Sequence, residues 1–277
     1  MTKRLPHTSC SGLPGLCAAL ARASSRSPGM RIAEVSASTY LREGHGDVLL
    51  HDLEIVMTTL DTAPLAPLIS KLFAEADGQA SAVREEMAKL SPEEQSALMT
   101  STTDYPALYA RAKDFYLAIS PETARLLYML ARATQAKTIV EFGTSFGLST
   151  LHLAAALRDN GGGRLIGSEF EASKVTRARA NIAAGGLADL VEIRDGDALQ
   201  TLARDLPNSI DLVLLDGAKG LYPAILSLLE KRLRIGALII ADNADMSPDY
   251  LSRVRSREQG YMSLPFAEDV ELSMRIG

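Results

Sequence analysis

From Lys137 onward the chain alternates short apolar runs of strand length with longer runs of helix length, and few folds accept that pattern. Thr138 to Phe142 reads as a first strand, followed by a helix over Leu148 to Leu157 that stops at Asp159-Asn160-Gly161-Gly162-Gly163. Arg164 to Glu169 is a second strand and Glu171 to Ala184 a second helix; Leu190 to Arg194 and Ala198 to Asp205 make a third pair. Ile210 to Asp216 with Tyr222 to Leu233 makes a fourth, and Ala237 to Asp242 is a fifth strand. Parallel neighbours need a crossover of helix length, so these units predict a parallel sheet covered by helices on both faces. Tyr261 to Phe266 and Glu271 to Ile276, joined by Ala267-Glu268-Asp269, read as a closing hairpin. The expectation is an α/β fold: a seven-stranded, mostly parallel sheet with the last strand antiparallel, plus an N-terminal helical region.

That helical region spans about His51 to Ala136. Leu65 to Ala76, Gln79 to Leu90 and Tyr105 to Ile119 each carry apolar residues at three and four spacing. Ser91-Pro92-Glu93-Glu94 is a helix start, with a Ser cap, Pro at the first position and acids near the positive end. Ser120-Pro121-Glu122 repeats the signal and opens a helix ending near Gln135. The first 33 residues hold five Lys or Arg, no Asp or Glu, and many Ser, Pro and Gly. They fit a tail without catalytic function, and Met30 is a plausible start. The expected organisation is a poorly ordered tail over 1–48, a helical cap or dimerisation region over 49–119, and a catalytic domain over 120–277. The two cysteines, Cys10 and Cys17, make no disulfide framework, which suits a reducing, cytoplasmic setting. A net charge of −5 gives no electrostatic reason for a nucleic-acid partner. No apolar run is long enough to span a bilayer.

The chemistry gathers where the strands end. Ile139-Val140-Glu141-Phe142-Gly143-Thr144-Ser145-Phe146-Gly147 runs from a strand through a glycine turn into a helix, and ligands of such sheets bind beyond the carboxyl ends of the strands. A dinucleotide site would want GxGxxG, but Ser145 stands where the second glycine belongs. Gly143-Thr144-Ser145-Phe146-Gly147 also fits the GxSxG of a hydrolase elbow, yet none of His7, His45, His51 and His152 follows the later strands, as that fold requires. The third reading is S-adenosylmethionine (SAM) binding, with Glu141 near the methionine end and Glu169, 28 residues on, at the ribose hydroxyls. A turn with no ligand is the remaining alternative.

Asp216 ends the fourth strand in Leu214-Leu215-Asp216-Gly217-Ala218-Lys219, and Asp242-Asn243 ends the fifth. Two carboxylates and an amide oxygen converging there form an oxygen-only site suited to Mg²⁺. Any one of these acids could instead cap the next helix.

Taken together these segments resemble the cation-dependent class I SAM O-methyltransferases, the group that includes catechol and caffeoyl-CoA O-methyltransferases. Asp216-Gly217-Ala218-Lys219-Gly220-Leu221-Tyr222 is similar to their Asp-x-x-Lys-x-x-Tyr segment, and Asp242-Asn243 to their metal pair. Glu141, Gly143, Gly147 and Ser149 match their cofactor turn, Glu169 their ribose acid, and Gly196-Asp197-Ala198 the segment beside the adenine. Leu264-Pro265-Phe266 followed by a strand looks like their C-terminus, so the resemblance covers roughly Ser120 to Gly277. It implies a Rossmann-like fold and methyl transfer from SAM to a hydroxyl of a small, catechol-like or phenolic acceptor. It also implies metal binding by Asp216, Asp242 and Asn243, with Lys219 taking the hydroxyl proton beside Asp216 and Tyr222 serving packing first. A possible homodimer would use the helical region. Departures are Ala218 where many relatives carry a second acid, Ser145 in place of Gly, Thr123-Ala124 where Gly-Gln is common, and a short Ala244 to Gly260 stretch in the substrate region. The alternatives are a metal-independent methyltransferase of the same fold, with the acids retained for structure, and a non-catalytic SAM-binding or interaction protein.

Overall fold

In the computed structural model, residues 57–266 and 269–277 are described. The expected tail, the first residues of the helical segment, and Ala267 and Glu268 of the hairpin turn lie outside them.

The predicted alternation becomes one seven-stranded sheet. Its strands are β1 (Thr138–Phe142), β2 (Arg164–Glu169), β3 (Val191–Asp195), β4 (Ile210–Leu215), β5 (Leu233–Ala241), β6 (Tyr261–Phe266) and β7 (Val270–Arg275). They lie in the order β3-β2-β1-β4-β5-β7-β6. The first five pair in parallel, while β7 runs antiparallel to both β5 and β6. This is the Rossmann-like arrangement with a reversed last strand. Because the order turns back at β1 and β4, the carboxyl ends of these two strands flank the crevice where such sheets bind ligands.

Successive strand residues point to opposite faces, and each face has its own core. Ile139, Leu165, Leu212 and Ile240 join one cluster with α4 (Pro121–Ala133), α5 (Leu148–Asp159) and α6 (Ala172–Ala184). Val140, Ile166, Val213 and Ile239 join the other with α7 (Ala198–Thr201), α8 (Tyr222–Leu229) and α9 (Pro248–Val254).

Three helices precede this layer: α1 (Leu65–Met87), α2 (Pro92–Thr100) and α3 (Tyr105–Ala112). Both predicted caps form. Ser91 Oγ accepts from Glu94 N while Glu94 Oε2 accepts from Ser91 N, and Ser120 Oγ accepts from Thr123 N; such caps contribute about 1 kcal/mol each. Leu65 and Leu72 of α1 enter the first core. Asp159 at the end of α5 accepts from Thr59 N at 3.1 Å and from Tyr128 Oη at 2.6 Å. Tyr116 Oη donates to Glu75 Oε2 at 2.6 Å and accepts from Arg177, and its ring meets Phe146 edge-on. The described helical residues therefore share one compact unit with the sheet.

Several boundaries differ from the sequence reading. The two expected helices over Leu65 to Ala76 and Gln79 to Leu90 are one, continuous through Gly78, which has open space around it and so costs only its propensity. The helix expected over Tyr105 to Ile119 ends at Ala112. Beyond it Tyr116 N donates to Gln79 Oε1, and packing against Phe146 replaces the periodic pattern. The helix after Asp197 is one turn long. Strand β5 begins four residues before the expected Ala237, passing Gly236 at φ +81° where its pairing with β4 shifts register. Among the described residues, no helix is long and apolar enough to cross a membrane.

Candidate active site

The glycine turn after β1 is shaped by close approach. Gly143 has φ +96°, and a Cβ there would collide with the Asp216 carbonyl, so the turn can lie against the end of β4 only without a side chain. Gly147, at φ +88°, is the left-handed residue from which α5 starts. Beneath the turn Glu141 is fully buried and accepts from Ser149 Oγ (2.6 Å), Thr150 Oγ1 (2.6 Å) and Thr144 Oγ1 (3.0 Å). Burial pushes its carboxyl up, and the three hydroxyls oppose that. Glu141 thus braces the turn from below and is absent from the walls of the three cavities at this end of the sheet. Ser145 Oγ is buried with no partner among the described residues, and it lines a small cavity with Gly143, Ser149 and Asp216. An orphaned hydroxyl beside free helix N–H groups fits a polar or anionic ligand group. The hydrolase alternative lacks its base: His152 is the histidine among the described residues, and its Nδ1 is bonded to Leu148 O.

Glu169, at the end of β2, accepts from Ser145 N at 2.7 Å and Glu171 N at 2.9 Å. Burial raises its pKa against those bonds and the nearby Lys174, whose own pKa burial lowers. Glu169 lines a second pocket with Gly143, Gly196, Asp197 and Ala198, so the residues expected around ribose and adenine share one space. That space is only about 10 Å³, because two tyrosines of α3 enter it. Tyr105 Oη donates to Asp197 Oδ2 at 2.9 Å. Tyr109 stacks on Phe170 with centroids 5.2 Å apart, and its hydroxyl accepts from Ala218 N at 3.0 Å. Asp197 also accepts from Leu199 N, so it caps α7 while facing the pocket.

Sequence reasoning missed Tyr105, Tyr109, Phe170 and Lys174. Phe170 directly follows Glu169 and could have been found as the residue leaving the strand end. The two tyrosines lie four apart on one helix face, but nothing local names their partner.

The acidic groups converge as expected. Asp216 and Asp242 follow the ends of the neighbouring strands β4 and β5 and line the same cavity. Burial raises both carboxyls; Lys219 works against the rise at Asp216, and the charge of Asp216 adds to it at Asp242. Lys219 is 3% exposed, with Nζ 3.1 Å from Asp216 Oδ1 and 2.9 Å from Tyr222 Oη. The Tyr222 hydroxyl lies 2.8 Å from both Leu215 O and Asp242 O, so this buried side chain ties Lys219 to the ends of β4 and β5. Tyr222 therefore packs, as expected, and also positions. Asn243, left-handed at φ +46°, donates Nδ2 to Asp269 Oδ2 at 3.1 Å, a bond that does not use its amide oxygen.

This donor set fits a divalent cation: two neighbouring carboxyls, both raised by burial, whose charged forms added positive charge would favour, with one amide oxygen. Among the described residues, no three Asp, Glu, His or Cys side chains group as a metal site. The remaining coordination positions would fall to water or acceptor. These residues floor a cavity of about 490 Å³, whose walls come from α1 to α3 and residues 113–120. Asp216 lines both this cavity and the one at the glycine turn.

Comparison with known proteins agrees with this layout. A family described as a methyltransferase domain matches residues 140–244, from within β1 to just past Asn243. The catechol O-methyltransferase of Mycobacterium tuberculosis is 34% identical over 161 residues, 55% of this chain and 72% of that protein. The catechol O-methyltransferase of Niastella koreensis is 36% identical over 130 residues, 46% of this chain, and the match spans 58% of that relative's length. Among solved structures, an O-methyltransferase of Streptomyces achromogenes involved in tomaymycin synthesis, in complex with SAM, is similar with a TM-score of 0.53 and 27% identity, covering 66% of this chain and 94% of that one.

Proposed function

We propose that this chain, which belongs to the class I SAM-dependent O-methyltransferase family, is an enzyme that methylates a hydroxyl of a small phenolic or catechol-like acceptor with the help of a divalent metal. The observation that carries this reading is that Asp216 stands in the wall of both the glycine-turn cavity and the large cavity, so a methyl donor in one would meet a hydroxyl in the other. Bound SAM would supply an electrophilic methyl, and a divalent cation would polarise the acceptor oxygen.

The chain's own residues do the rest. Ser145 Oγ and Ser149 would bind the polar end of the cofactor's methionine, with Glu141 holding their turn rigid through Gly143 and Gly147. Glu169 would accept from the ribose hydroxyls, and Asp197 and Ala198 would flank the adenine. Asp216, Asp242 and Asn243 would hold the metal. Lys219, oriented by Tyr222, would in its neutral amine form take the acceptor's proton and become the ammonium, since a phenol with a pKa of about 10 retains that proton at neutral pH. Alignment of donor and acceptor supplies the remainder through proximity. The helical segment would act as the cap on the acceptor side and as the surface of any homodimer.

One observation favours a metal-independent variant of the same activity: the Lys219 ammonium already sits against Asp216 and can stand as its counter-charge. The deciding experiment is transfer of labelled methyl from SAM to catechols and hydroxycinnamoyl thioesters, in Mg²⁺ and in EDTA. Transfer that needs Mg²⁺ supports the metal reading. Transfer that survives EDTA retires the metal and keeps the methyltransferase. No transfer in either buffer, with tight SAM binding, points to a non-catalytic SAM-binding protein.

A further inference from the structure

We infer that the acceptor is an uncharged hydroxylated aromatic with an apolar body of two to three rings, seated under α1 to α3; this rests on the methyltransferase reading above. Size is the first argument. The cavity is about 490 Å³, whereas an apolar cavity of ~150 Å³ accommodates one benzene. A single catechol ring would leave most of the space to water.

The walls are the second argument. Above the polar floor the cavity is lined by Met87 of α1, Met99 of α2, Leu108 of α3, and Phe115, Leu117 and Ile119 of the segment that follows. Such a lining rewards apolar contact area and offers few partners to further polar groups. Two methionines let the wall adapt to outline without adding charge. Asp216, Lys219, Asp242 and Asn243 come from the strand ends, so the hydroxyls of the acceptor belong there and its apolar body against the apolar residues of the helices.

Charge is the third argument. The lining holds four acids, Glu86, Asp216, Asp242 and Asp269, against two cations. Both cations are paired, Arg111 with Glu86 at 3.4 Å and Lys219 with Asp216 at 3.1 Å. With both of them paired, the lining offers a carboxylate on the acceptor no unpaired cationic side chain. The phosphates of an acyl-CoA would find no cationic cluster among these residues.

The test uses the full chain with SAH and Mg²⁺, titrated calorimetrically with catechol, 4-phenylcatechol, 3,4-dihydroxybenzoate and caffeoyl-CoA, alongside methyl transfer from SAM to each. 4-Phenylcatechol should bind at least tenfold tighter than catechol, and the two anionic compounds at least tenfold weaker than 4-phenylcatechol. Leu108→Trp and, independently, Met99→Trp should cut the advantage of 4-phenylcatechol over catechol to under threefold, a ratio that either folded variant reports. Equal affinity for catechol and 4-phenylcatechol, tighter binding of either anion, or no binding at all overturns the inference. Transfer to catechol without that preference removes the inference and leaves the methyltransferase standing. Selective binding of 4-phenylcatechol without transfer to any compound does the reverse.

Discussion

Ten of the twelve residues of α5 are buried, whereas α2 buries none of its nine. The contrast extends to the regions these helices belong to. The sheet and its flanking helices are held by strand ladders and two cores. The helical segment is held at separate points: Leu65 and Leu72 in the core, Thr59 on Asp159, Tyr116 between Glu75 and Arg177, and Tyr109 on Ala218 N. The polar floor of the large cavity belongs to the first region and its apolar wall to the second. Elements with few buried contacts open at low cost, so this chain joins a rigid polar floor to a wall that can yield.

The sharpest separation between the regions comes from Lys219→Ala. It should lower turnover by about 10²- to 10⁴-fold, the usual worth of a general base, while SAM affinity stays constant in calorimetry. Equal turnover would remove Lys219 from the mechanism. Leu72→Ala asks whether the regions are separate at all. Deleting a buried leucine costs about 2–5 kcal/mol, and denaturant unfolding should remain a single transition moved to lower denaturant. Two resolved transitions, with only the first moved, would mean that α1 unfolds apart from the sheet. A smaller effect is expected from Gly220→Ala, where a Cβ would collide with the Thr100 carbonyl at the end of α2. The overpacking should cost about 1–3 kcal/mol and raise hydrogen exchange over 92–101 while leaving the central strands protected.

The smallest effect is a pH dependence at the junction. His152 of α5 is buried edge-on to Phe73 of α1, and burial lowers its pKa. As pH falls through about 6.5 toward that lowered value, the unfolded chain takes a proton that the folded one refuses, so this group removes stability on acidification. Glu141 and Glu169, with raised pKa values, act in the opposite sense. The measurement is therefore the difference between wild type and His152→Gln: the variant should lose less of its melting temperature between pH 7 and pH 5. Identical slopes would show that His152 does not titrate in this range.

Local signals were legible where local physics decides. The bounds of β1, β2 and β6 follow from apolar runs broken by turn residues, and the starts of α2 and α4 from Ser-Pro caps with acids behind them. The convergence of Asp216, Asp242 and Asn243 was legible because each ends a parallel strand, and topology brings strand ends together. What could not be read depends on distant partners. The helix over Tyr105 stops at Ala112 because Tyr116 finds Gln79 and Phe146. Glu141 is turned inward by hydroxyls that follow it on α5, and that bracing of the turn from below could not be read from the strand end alone. The approach of Tyr105 and Tyr109 to Asp197 and Phe170 joins residues from the two regions, and no window of sequence contains both.

Tyr109 has a consequence for the order of events. Its side chain lines both the large cavity and the narrow pocket around Glu169 and Asp197. A molecule that shifts this ring from one side alters the space offered on the other, and thermodynamic reciprocity makes the two affinities change by the same factor. With only about 10 Å³ open in the narrow pocket, a ligand entering there has to displace the ring toward the large cavity or away from both. An occupant already seated in the large cavity would resist the first of these movements. In kinetic language, that favours a compulsory sequence in which the narrow pocket fills first and empties last.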